Sequence, residues 1–230
     1  MFFNGYYGLL LFLIPLAVGM WAQLKVILSI KKYSRVMAKS GYTGAHAARM
    51  ILDRNGLADV RVERVRAQFS DHFDPKSNVI RLSDGVYDSA SIAAIGVAAH
   101  ECGHAIQHAS GYTPMKIRHA IIPVTNIGSR LAVPLVLIGL FFDYGPLLSV
   151  GLIGYLLVTL FQLVTLPVEL NASSSAMAII DETQLLDSDE KKLAEKVLTA
   201  AALTYVAALL SSVTQLLRIL LIYGDRHGRR

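Results

Sequence analysis

Long uncharged apolar runs separate two polar stretches along this chain. Residues 5–24 read GYYGLLLFLIPLAVGMWAQL, without a charge, and match the length of a bilayer-spanning helix. Residues 120–142 form a second apolar run, marked by Asn126 and Arg130. After a turn at Asp143–Pro146, residues 147–166 form a third, and residues 198–223 a fourth, with Gln215 and Arg218 near its far end. Four membrane spans at about these bounds are expected. The first run lacks the positive segment that opens a signal peptide, so it is read as a retained span. Hydrophobic residues make up 53% of the 230 and charged residues only 17%, which excludes disorder and leaves too much apolar surface for a soluble enzyme to hide.

The net charge of +5 is concentrated. From Lys25 to Arg66 ten Lys or Arg face only Asp53, Asp59 and Glu63, and this balance beside apolar flanks suits an anionic membrane surface better than nucleic acid. Lys25, Lys31, Lys32, Arg35 and Lys39 follow the first span, so the positive-inside rule places residues 25–119 and 167–197 in the cytoplasm. The tail GDRHGRR, with Arg226, Arg229 and Arg230, runs against that rule, because a fourth span would carry it outside.

The polar stretches predict a small helical domain with a minimal sheet. Residues 40–56 read as a short helix capped by Thr43 and ended by Gly56. Residues 60–65 alternate as a strand, 74–78 form a turn and 79–82 a second strand. A helix ends at about His108, and Leu166–Pro167 marks the change from the third span to another helix over about 168–184. Asp187 and Glu190 have the spacing of a capping box.

The string AAHECGHAIQH carries the chemistry. His100 and His104, four apart, share one helical face and can reach one ion, while Glu101 is turned to address a water on it. The bland alternative is a pair of satisfied core histidines with Glu101 in an ion pair. Burial favours the metal, because three polar side chains in an apolar helix need a partner. His108 lies about 12 Å further along the helix than His100, too far to share the ion, and fits a place on the substrate side or at the helix end. Glu169, an isolated carboxylate just past the third span, is the favoured third ligand, with Glu182 behind it. Two histidines and one glutamate leave an open position, as in hydrolytic zinc sites. His72 could donate to an oxyanion or be held in its turn by Asp74. Cys102, the single cysteine, excludes an internal disulfide and reads as packing, and His46 as solvated.

The strings TGAHAARMIL, DHFDPKSNVIRLSDGVYDSASIAAIGVAAHECGHAIQHA and PVELNASSSA resemble the bacterial YugP-like neutral zinc metallopeptidases, distantly similar to the HtpX-type gluzincin proteases. The resemblance covers nearly the whole chain. It implies a mainly α, multi-span membrane protein with a small gluzincin-like metallopeptidase domain, forming a single unit over 1–230 in the plasma membrane. It implies one Zn2+ per chain on His100, His104 and Glu169, with Glu101 as proton shuttle. The family pattern has an acidic residue where this chain has Ser173, so Ser173 or Asn171 is expected to brace a ligating histidine. Residues 79–82 are expected to offer a strand edge to an extended peptide. Read from the residues alone, Asn126, Arg130 and Gln162 could line a polar groove between the spans, and helix–helix hydrogen bonding accounts for Asn126 and Gln162 equally well. The expected activity is endopeptidase cleavage of membrane proteins or peptides. A non-enzymatic, zinc-stabilised membrane scaffold is the alternative, and the intact Glu101 speaks against it. A solute transporter is disfavoured, because the charges cluster outside the spans.

Overall fold

The computed structural model describes residues 5–67 and 70–227. In chain order its elements are α1 (Gly5–Tyr33), α2 (Gly44–Arg54), β1 (Arg61–Val65), β2 (His72–Asp74), β3 (Val79–Ser83), α3 (Asp84–Tyr87), α4 (Ile92–Ala109), α5 (Thr113–Phe141), α6 (Gly145–Thr183) and α7 (Ser188–His227). Among the described residues, four helices are long and apolar enough to cross a membrane, over Leu9–Tyr33, Thr113–Phe141, Gly145–Thr183 and Ser188–Leu221. The protein is therefore mainly α and multi-pass, with a small three-stranded sheet. The tail residues Arg229 and Arg230 lie outside the described residues.

The chain divides into two compact units. One comprises Met1–Ala22, Lys116–Pro167 and Thr204–Arg230. Its surface exposes Phe12, Leu137, Phe141, Leu160 and Leu217, as lipid-facing helices do. Small residues let α5 and α6 approach: a Cβ on Gly154 would stand 3.0 Å from that of Ala132. A cavity of about 440 Å³ in this unit is lined by Gln162 together with Tyr155, Ser212 and Gln215. Asn126 and Arg130 do not join it; both are exposed, which corrects the expected groove.

The other unit comprises Gln23–Met115 and Val168–Leu203. The sheet order is β1-β3-β2, with β1 parallel and β2 antiparallel to β3. β3 is thus the central strand, paired on both sides, and cannot offer the free edge expected of residues 79–82. Among the described residues, the edge strand beside the metal-motif helix is β2. A three-residue strand is too short to show alternation, so His72–Asp74 was not legible as one. Its return turn is fastened by Asp74, which accepts from the Lys76 amide, Ser77 Oγ and Arg81. Those bonds, the Ser77 hydroxyl first, hold the Asp74 carboxyl well below the usual range.

The core of this unit joins Ile51 and Leu52 of α2, Ile80 and Leu82 of β3, Ile92 and Ile95 of α4, and Val168 and Ile180 of α6. Thr43 caps α2 by accepting from the His46 amide, as predicted. Asp187 and Glu190 form the reciprocal capping box at the start of α7: Asp187 Oδ1 accepts from the Glu190 amide at 2.9 Å, and Glu190 Oε2 from the Asp187 amide at 3.0 Å. Glu190 is buried and also accepts from the Lys39 amide, so it is not part of a solvated face. The expected break between the third span and a helix from 168 is absent. α6 runs through Pro167, whose missing N–H costs one backbone bond, a loss that long apolar helices tolerate.

Candidate metal centre

Two helices build the centre. α4 is capped by Ser91, whose hydroxyl accepts from the Ala94 amide, and its apolar and small residues other than Val97 are buried through Ala105. That burial turns His100, Glu101 and His104 away from bulk water: Glu101 is 8% and His104 9% exposed. α6 supplies Glu169, which is 2% exposed. Glu169 Oε2 lies 3.3 Å from His100 Nε2 and 3.4 Å from His104 Nε2. Among the described residues, these three side chains are the group of potential metal ligands brought together, with donor atoms within 4.8 Å of one another.

The donor set fits zinc. Ligand atoms about 2.0–2.1 Å from a tetrahedral ion stand roughly 3.3–3.4 Å apart, which is the spacing of Glu169 Oε2 from both imidazole nitrogens. Each histidine is braced at its other nitrogen, so Nε2 is the one presented. His100 Nδ1 lies 3.1 Å from Ser173 Oγ, and His104 Nδ1 donates to Gln107 Oε1 at 3.0 Å. The Gln107 amide is itself fixed, because its Nε2 donates to the Val168 carbonyl and to Asn171 Oδ1, both at 2.8 Å. Burial works against protonating His104, yet Glu169 and Glu101 outweigh it and raise the imidazole pKa. The site therefore favours positive charge.

Ser173 meets a ligand histidine directly, whereas Asn171 acts through Gln107. Gln107 was missed in the sequence, although it stands three residues after His104, the i,i+3 spacing that lets the two side chains meet. Glu101 Oε2 accepts from the Phe73 amide of β2 at 3.0 Å. His72, next along the strand, is exposed, and its Nδ1 donates to the Ser70 carbonyl at 2.6 Å. His108 lies outside the ligand group; its ring packs on that of Phe73, with centroids 5.7 Å apart. Cys102 is buried and donates weakly to the Ala48 carbonyl, and His46 is exposed. Glu182 is exposed and is not a ligand here.

Comparison with known proteins agrees with this geometry. The family described as "Putative neutral zinc metallopeptidase" matches residues 8–224. A Bacillus subtilis (strain 168) protein named "Putative membrane protease YugP" is 49% identical over 217 residues, covering 94% of this chain and 96% of the relative. No solved structure matches. A family match over nearly the whole chain, joined to a buried two-histidine, one-glutamate centre, places this chain in the neutral zinc metallopeptidase family.

Proposed function

We propose that this membrane-embedded zinc metallopeptidase cleaves membrane proteins, or peptides leaving the bilayer, at the cytoplasmic face of a bacterial plasma membrane. The observation that carries the substrate class is the position of Glu169: this ligand belongs to α6, itself long and apolar enough to cross a membrane. The cytoplasmic side rests on the basic residues Lys25, Lys31, Lys32, Arg35 and Lys39 that follow the first span.

A bound zinc ion supplies Lewis acidity toward the scissile carbonyl and acidifies water. Glu101 is the proton carrier, taking a proton from the attacking water and passing it to the leaving amine. The Phe73 amide holds one of its oxygens and leaves the other for the water. The β2 edge is the strand to which an extended substrate adds, in place of residues 79–82. His72 is the candidate oxyanion donor. Its Nδ1 is engaged by Ser70, so Nε2 is the atom that would face the oxyanion.

The test is proteolysis of a membrane-protein substrate by the purified chain in lipid nanodiscs. Glu101→Gln abolishes cleavage while zinc content stays at the wild-type level. Cleavage that survives in Glu101→Gln overturns the proton-carrier role of that residue, whereas a zinc-loaded wild type that cleaves nothing favours a scaffold. Preference for soluble peptides over membrane-anchored ones overturns the substrate class alone.

A further inference from the structure

The last two turns of α1 and the first turns of α7 enclose a basic cleft that the hydrolytic chemistry does not use. Lys25, Ser29 and Tyr33 recur every four residues and form one stripe on α1. Lys192, Lys196 and Thr199 line the facing side on α7, and the space between measures about 590 Å³. Three ammonium groups and the Glu195 carboxylate line it with three hydroxyls, and Asp189 pairs with one of the ammonium groups, that of Lys192.

The floor of the cleft is packed. Tyr33 and Val197 are buried against each other and Ala93, with Ile30 and Leu193 alongside. A second fastening lies close by in sequence: Lys39 donates through its amide to Glu190 and through Nζ to Asp187, at 2.8 and 2.6 Å. Along this stretch of α7, Lys191 outside the cleft pairs with Asp181, and Lys192 of the cleft pairs with Asp189 in an exposed ion pair. Lys196 has none among the described residues. Both walls belong to helices apolar and long enough to span a membrane. A cleft of this kind combines cations, hydroxyl donors and apolar helix flanks. That matches an anionic phospholipid: phosphate oxygens for the lysines and hydroxyls, acyl chains for the helices.

We propose that this cleft is a headgroup site for one anionic phospholipid, held by Lys25, Lys192 and Lys196. The site is separate from the metal ligands, so it stands or falls independently of the peptidase reading. Peptide segments and free phosphate are the competing occupants, and the experiment separates them.

Native mass spectrometry of the zinc-loaded chain in detergent, titrated with phosphatidylglycerol and with phosphatidylcholine, reads the bound lipid directly. The wild type retains one phosphatidylglycerol in preference to phosphatidylcholine. The variant Lys25→Gln/Lys192→Gln/Lys196→Gln loses that affinity roughly tenfold or more, because the cations that hold the phosphate are gone. A charge-matched control, Lys31→Gln/Lys32→Gln/Arg35→Gln, keeps it, and unchanged zinc content in both variants shows that they fold. Equal losses in the two variants would mean diffuse attraction and overturn the site. So would equal retention of the two lipids, or displacement of phosphatidylglycerol by millimolar inorganic phosphate or by a peptide substrate.

Discussion

Gly103 of α4 sits so close to Ala172 of α6 that a Cβ on the glycine would stand 2.7 Å from the Ala172 carbonyl oxygen. This approach lets the Glu169 carboxylate reach both imidazoles, because the backbones meet where a side chain would hold them apart. Gly103→Ala is therefore predicted to destabilise the chain by about 1–3 kcal/mol and to lower zinc retention, since the obstructing atom is backbone and cannot swing aside. Thermal unfolding in detergent, with zinc analysis on the same sample, checks it. Wild-type stability and zinc content in Gly103→Ala would show that the helices can separate without cost.

Gln107 and Ser173 brace the two ligand histidines with neutral groups. Gln107→Leu removes the acceptor for His104 Nδ1 and the bonds that tie it to the Val168 carbonyl and Asn171, and zinc affinity is expected to fall about 10–100-fold. Ser173→Asp places a carboxylate against His100 and should tighten zinc, since a charged acceptor raises ligand basicity. Chelator competition measures both. Unchanged affinity in Gln107→Leu would reduce the glutamine to packing.

Asp187 carries the acid sensitivity of the junction leading into α7. The Glu190 amide and Lys39 hold its carboxyl below the ordinary value. The folded state thus binds this proton less readily than the unfolded chain. The contribution is complete above the unfolded value of about 3.9 and is lost as pH falls through the lower folded value. Asp187→Asn should therefore flatten the acid limb of the stability profile below about pH 4 and leave the neutral region with a small, constant loss. An acid limb of unchanged slope would place the sensitivity elsewhere.

Cys102 is fully buried, and burial pushes its thiol far above the usual cysteine range. Because it is the single cysteine, labelling reports on one site. The folded chain should resist maleimide at neutral pH and react promptly once denatured. Rapid labelling of the folded chain would mean that the packing of α4 against α2 opens readily.

The four spans and the metal helix were legible because each is written in a long run of one kind. The apolar stretches exceed 18 residues, and His100 and His104 announce a shared face by their spacing. Glu169 was legible through isolation, a carboxylate with no charged neighbours. What escaped was short or tertiary. β2 has three residues, and its placement at the edge is decided by pairing across the sheet. Pro167 suggested a helix end, but the apolar character of α6 on both sides prevailed. Gln107 acquires its role only when α6 brings the Val168 carbonyl and Asn171 to its amide. Asn126 and Arg130 interrupt an apolar run, yet they face outward.

The central claim is that His100, His104 and Glu169 together hold one zinc ion. Elemental analysis of the purified chain in detergent, beside Glu169→Ala, tests it most directly. The account predicts one zinc per wild-type chain and a clear loss in the variant. A folded wild type without zinc, or the same zinc content in both, would contradict it.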